Sequence, residues 1–140
     1  MTPLFIDTSA LIALHYSQDS SHAKALHILE SISQRRCSFY TAVNVLIESL
    51  TIISQRVNKH YAVELLDELR SGKYTIVHPS ENLISEAETI FRSIRSKNIS
   101  YSDCISFAVM RMYNIGWVFS FDIHFKKQGF KRIGIDGKLQ

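Results

Sequence analysis

Two short apolar runs, Leu4-Phe5-Ile6 and Trp117-Val118-Phe119-Ser120-Phe121, end on aspartates, Asp7 and Asp122. Between them, short β-rich runs alternate with longer stretches of helical periodicity. No other feature of the chain constrains its fold as strongly. Strand and helix in alternation require crossover connections, and so a mainly parallel sheet with helices on both faces. Binding sites in such sheets lie at the carboxyl ends of the strands, where Asp7 and Asp122 are expected. The 140 residues suit a single domain, 1–140, around one core. With only 2 prolines and 5 glycines, and no repeat or low-complexity stretch, the connections should be short.

The reading along the chain is as follows. Leu4 to Ile6 is a strand, and Ser9 to Tyr16 a short helix. Asp19-Ser20-Ser21 supplies caps for a helix to about Ser33, with Ala25, Leu26, Ile28, Leu29 and Ile32 as its apolar face. Ser38 to Tyr40 is a second strand. A helix then runs from Thr41 or Ala42 to about Val57, with Asn44, Glu48, Thr51 and Gln55 as a polar stripe. Asn58 caps the next helix, which ends near Gly72. Tyr74 to His78 is a strand stopped by Pro79, and Ser80 caps a helix to about Lys97. Ser100 or Ser102 opens a helix to about Tyr113. Gly116 to Phe121 is a strand, and Lys131 to Ile135 an edge strand.

Hydrophobic residues make up 46% and charged residues 21%, as in ordinary globular proteins. No apolar run approaches the roughly 20 residues of a membrane span. Met1-Thr2-Pro3 offers no basic leader, so a cytoplasmic protein without a signal peptide is expected. Cys37 and Cys104 are then expected to be free thiols. The net charge of +3 permits an anionic partner without requiring one.

Four acids are hard to explain by packing: Asp7, Glu48, Asp103 and Asp122. Each has an ordinary explanation. Asp7 could cap a helix, Asp103 could answer a helix dipole, Glu48 could be solvated, and Asp122 could sit in a turn. Together they form an ordered set, two closing strands and two on helices. Carboxylates at the edge of a core need a partner, and a hard divalent cation serves several at once. That combination indicates a metal-dependent hydrolase acting on phosphodiesters.

The four acids also lie in motifs. Asp7-Thr8-Ser9 after an N-terminal strand, Glu48 in Val45-Leu46-Ile47-Glu48-Ser49, and Asp103 in Ser100-Tyr101-Ser102-Asp103-Cys104 resemble three motifs of PIN domains. Ser120-Phe121-Asp122, followed by His124-Phe125 and Gly129-Phe130, resembles the fourth. That tail is similar to the VapC-like branch, the toxin nucleases of toxin–antitoxin pairs. The likeness runs from Leu4 to about Ile135. Cys104 replaces a common alanine as a tolerated core contact, and His124 stands where some members carry a further acid, which leaves one metal or two open.

The resemblance implies a PIN-like three-layer α/β/α sandwich with a central sheet of four to five strands. It implies an endoribonuclease dependent on Mg2+ or Mn2+, with Asp7, Asp103 and Asp122 as metal ligands and Glu48 on a metal water or the nucleophile. Ser9 and Ser120 would hold carboxylates in place. Arg111, Lys126 and Lys127 are candidates for RNA contact. Expected partners are an RNA, a tRNA or an rRNA, an antitoxin protein, and a second copy of the chain. The homodimer is expected to use apolar surface around Leu65, Leu66, Leu69, Leu83, Ile84, Ile90 and Phe91. An RNA-processing nuclease and a non-catalytic interaction module on the same fold are the alternatives.

Overall fold

The computed structural model describes residues 1–139. Its strands are β1 (Thr2–Ile6), β2 (Cys37–Ala42), β3 (Tyr74–Val77), β4 (Trp117–Phe119) and β5 (Lys131–Arg132). Its helices are α1 (Thr8–His15), α2 (His22–Ser33), α3 (Val43–Arg56), α4 (Lys59–Leu69), α5 (Glu81–Ser93), α6 (Tyr101–Met112) and α7 (Ile123–Lys127). The strands form one sheet in the order β3-β2-β1-β4-β5, and every ladder is parallel. The chain steps one way from β1 through β2 to β3, then returns past β1 to β4 and β5. Right-handed crossovers in opposite directions lay their helices on the two faces of the sheet. The strand order reverses between β1 and β4, and ligand crevices open at such switch points.

The core is built on Leu4 and Phe5 of β1, Phe119 of β4, and Phe107 of α6. The Phe107 ring meets Phe125 edge-on at 5.0 Å and stacks on Phe130 at 6.1 Å. Cys104 to Met110 are all buried, so the middle of α6 lies inside the molecule, with Ser106 as its buried polar residue. Cys37 and Cys104 are free and buried, and burial pushes both thiols up.

Several element limits differ from the sequence reading, each for a local reason. β2 continues to Ala42 because Thr41 and Ala42 pair with Ile76 and Val77, so α3 begins at Val43. α5 stops at Ser93, where Ile94 turns extended and the chain goes on to bury Ile99. β4 ends at Phe119 because the next residue leaves the ladder to bond Asp7. β5 is cut to Lys131–Arg132 by a turn in which Asp136 N–H returns to the Arg132 carbonyl and Gly134 has φ +76°.

Two surface readings are corrected. Most of the apolar residues expected at a dimer contact are internal: Leu65, Leu69, Leu83 and Ile90 are buried, and Leu66 and Ile84 half-buried. Phe91 alone stays exposed, with Tyr101 edge-on at 5.9 Å. On α2 the apolar face splits: Ala25, Ile28 and Ile32 point inward, while Leu26 and Leu29 are exposed.

Candidate active site

Asp7 follows the last residue of β1 and caps α1. It is 6% exposed. Its Oδ2 accepts from Ser120 Oγ at 2.8 Å, Ser9 Oγ at 3.0 Å and Ser9 N–H at 3.4 Å. The two serines also meet each other at 3.1 Å. Each holds the chain after β4: Ser9 Oγ accepts from Phe121 N–H and Ser120 Oγ from Asp122 N–H, both at 3.0 Å. The serines therefore fasten the end of β1 to the end of β4 and fix the Asp7 carboxylate between them. Burial pushes its pKa up from 3.8 to about 6. The nearby Asp103 charge adds to that rise, and the serine bonds work against it.

Asp103 sits in the first turn of α6. Its Oδ2 accepts from Ser100 N–H at 2.9 Å while Ser100 Oγ accepts from Asp103 N–H at 3.0 Å, a reciprocal capping box. Burial raises its pKa and the charge of Asp122 raises it further, against the Ser100 bonds and His124. Asp122 caps α7, with Oδ1 accepting from His124 N–H at 2.8 Å. The His124 Nδ1 atom lies 2.7 Å from the same oxygen but outside hydrogen-bond alignment, so that contact is electrostatic. Glu48, halfway along α3, accepts on Oε1 from Ser102 Oγ at 2.6 Å and Thr8 Oγ1 at 3.2 Å. Asn44, one turn earlier, is buried and donates to Ser102 O, Ser102 Oγ and Ser106 Oγ at 3.0 to 3.1 Å.

The ordinary explanations hold for three of these acids, and the fold also brings all four together. Asp7, Asp103 and Asp122 do serve helix starts, and with Glu48 they line one open cleft of about 380 Å³ at the carboxyl end of the sheet. In all four, the hydrogen bonds converge on a single oxygen: Oδ2 of Asp7, Oε1 of Glu48, Oδ2 of Asp103 and Oδ1 of Asp122. One oxygen orients each carboxylate and leaves the other for an outside partner. Among the described residues no three His, Cys, Asp or Glu close a metal cage. A hard cation that keeps several of its waters suits such a donor set better than a fully stripped ion does.

The chain between Leu4 and Lys131 matches the family model of the PIN domain, residues 4–131. The chain belongs to the PIN-domain family. A curated relative of this PIN domain is the 23S rRNA-specific endonuclease VapC20 of Mycobacterium tuberculosis. The two are 28% identical over 130 residues, covering 93% of this chain and 97% of the relative. The crystal structure of VapC20, described as a sarcin-ricin-loop-cleaving toxin, superposes with a TM-score of 0.83 at 27% identity, over 91% of this chain and 95% of that one. VapBC2 from Rickettsia felis, bound to promoter DNA, shares the fold at 15% identity and TM-score 0.66, covering 94% and 98%. FitAcB from Neisseria gonorrhoeae shares it at 14% and 0.68, covering 94% and 96%.

The remaining site candidates lie elsewhere. Arg111 donates to Gln128 at 3.1 Å, Lys126 stands 3.8 Å from Asp136, and neither they nor Lys127 line the acidic cleft of this PIN domain. His15 pairs with Glu68 at 3.2 Å, His22 Nδ1 meets Ala13 O at 2.6 Å, and neither lines the cleft. The sequence reading missed Thr8 and Asn44 as supports of the Glu48 network, and it missed Arg56, Asp19, Ser20 and Ser21 in the cleft lining. The i, i+4, i+8 spacing of Glu48, Ile52 and Arg56 would have found Arg56.

Proposed function

We propose that this protein is an endoribonuclease that hydrolyses RNA phosphodiesters with a divalent cation, Mg2+ or Mn2+, and acts as the toxin of a VapBC-type toxin–antitoxin pair in the cytoplasm. The observation that carries this is the cleft itself: four carboxylates at a switch point, each held by one oxygen, with burial and mutual repulsion raising Asp7 and Asp103.

Asp7, Asp103 and Asp122 would hold the ion. Glu48, whose Oε1 is occupied by Thr8 and Ser102, would act through a water molecule with its other oxygen. When bound, the cation supplies charge neutralisation at the phosphate and a lowered pKa for an attacking water. The chain supplies the rest. Ser9 and Ser120 keep Asp7 from rotating, and the Ser102–Asn44 network fixes the Glu48 arm toward the water it orients. The rRNA specificity in the name of the relative favours an rRNA over a tRNA as the target.

An antitoxin partner and a homodimer belong to the same proposal. Ile47, on the same helix as Glu48 and 63% exposed, offers apolar surface for such a contact. The deciding experiment incubates purified protein with rRNA and tRNA in Mg2+, Mn2+ or chelator and maps the new ends. Cleavage that requires the ion and leaves a 5′-phosphate is expected. Equal cleavage in excess chelator, or none of either RNA, overturns the proposal.

A further inference from the structure

Among the described residues, the acidic cleft has a single cation in its wall. Asp7, Asp19, Glu48, Asp103 and Asp122 all line it, and Arg56 is the basic residue among them. Arg56 closes α3 and is exposed, and among the described residues its guanidinium takes part in no ion pair. Asp19, the carboxylate of the α1–α2 loop, is already turned onto Ser21 N–H at 2.8 Å.

Glu48, Ile52 and Arg56 fall on one face of α3, two turns long, and all three border the cleft. At 1.5 Å per residue, Arg56 stands about 12 Å along the helix axis from Glu48. The half-buried Ile52 lies between them and contributes an apolar surface. A guanidinium, an apolar step and a carboxylate centre thus follow one another along a single rigid element.

The electrostatics give this order a meaning. A polyanion entering a wall of carboxylates is repelled at every phosphate. A divalent ion at the acids offsets that repulsion only at the phosphate it touches. The next phosphate along the strand needs a counter-charge of its own, at a fixed distance from the first. Arginine suits that task because its planar fork donates two parallel hydrogen bonds to one phosphate.

We propose that Arg56 binds a backbone phosphate flanking the scissile one, and so sets the register in which RNA lies across the acids. The assignment rests on the endoribonuclease reading above.

The test uses the full chain in four forms: wild type, Arg56→Gln, Arg56→Lys and Asp19→Asn. The substrates are synthetic RNAs spanning the mapped cut, each with one flanking phosphate replaced by an uncharged methylphosphonate. Arg56→Gln should raise KM about tenfold with kcat changed less than about threefold, and should lower the salt slope of binding by about one counterion. Arg56→Lys should recover part of the loss. In wild type, one particular methylphosphonate should reproduce the tenfold penalty, and in Arg56→Gln that same substitution should cost nothing more. Asp19→Asn removes one repelling charge from the cleft and should lower KM, the opposite direction to Arg56→Gln. Penalties that simply add at every position would overturn the proposal, as would an Asp19→Asn effect equal to that of Arg56→Gln, which would make Arg56 an internal counter-ion. A wild type that cuts RNA with Arg56→Gln unaltered rejects the Arg56 assignment alone. A wild type that cuts no RNA rejects the nuclease reading with it.

Discussion

Two corners of this molecule bury an aspartate, and they treat it in opposite ways. Asp136 is met inside the chain: Arg132 Nε donates to its Oδ2 at 2.9 Å and Nη2 to its Oδ1 at 3.1 Å, a two-pronged pair about nine-tenths buried. Those hydrogen bonds hold the Asp136 carboxyl below its ordinary value. Asp7 receives only hydroxyls and an amide, and burial drives it up to about 6. One carboxylate completes its electrostatics when the chain folds. The other gains no such counter-charge from the described residues and, in the function proposed above, would receive it from the bound ion. A protein gives up stability in this way where the missing charge arrives with its ligand.

The largest expected effect comes from Asp7→Asn. An asparagine oxygen still accepts from Ser9 and Ser120, so shape is kept while the charge is lost. RNA cleavage should fall roughly a hundredfold or more. The metal-free protein should become more stable at pH 8 by up to about 3 kcal/mol, the amount carried by a rise from 3.8 to about 6. Chemical denaturation of both proteins checks it, and a less stable Asn variant would break the comparison at its root.

Arg132→Met should act in the other direction. It removes the hydrogen-bonded partner of Asp136, leaves only Lys126 at 3.8 Å, and should cost about 1–3 kcal/mol in urea unfolding. Arg132 Nη1 also reaches the Phe121 carbonyl at 3.4 Å, so the segment leading to Asp122 should loosen as well.

The pH dependence follows from the sign of the Asp7 shift. Its folded pKa lies above its unfolded one, so the cost of an ionised Asp7 is absent below about pH 4, grows as the pH rises toward 6, and is constant beyond. Metal-free wild type should lose stability over that window, and Asp7→Asn should not. Cleavage should run the opposite way, falling with acid as the proton competes with the ion for Asp7, and the fall should move to lower pH as the divalent ion is raised. A pH titration of stability and rate on the two proteins separates these trends.

The smallest effect sharpens the contrast. Ser120→Ala removes the 2.8 Å bond that opposes the rise of Asp7. It should cost about 1 kcal/mol and move the acid limb of the rate profile upward. An unshifted limb would mean that Ser120 holds the backbone at Asp122 and contributes nothing to the charge.

What could be read from the sequence follows from the range of the interactions. Asp7 and Asp122 were legible because a strand and the helix after it are local, and the carboxyl end of a parallel strand is a known address. Glu48 was legible as a polar break in an apolar helix, yet the stripe drawn through it mixed unlike residues. Asn44 is not solvated: it is buried against Ser102 and Ser106, 58 and 62 residues away. Thr51 turns back onto the Ile47 carbonyl at 2.7 Å. Arg56 went unread because its importance lies in sharing a cleft with residues from four other parts of the chain. The dimer surface was misread because α4 and α5 hide their leucines and isoleucines against neighbouring helices, which periodicity cannot reveal.

The bond from Ser120 to Asp7 spans 113 residues, and it has a consequence for synthesis. Chains emerge from the ribosome in order, and contacts of such long range close late. β4 lies beside β1 in the sheet, so the end of β1 has no neighbour on that side until Trp117–Phe119 have been made. Until then Asp7 lacks Ser120, Asp103 lacks Asp122, and the cleft has one wall missing. For an enzyme proposed to cut rRNA, and assembled on an rRNA machine, this strand order means that the cleft would stay incomplete until the segment through Asp122 has emerged.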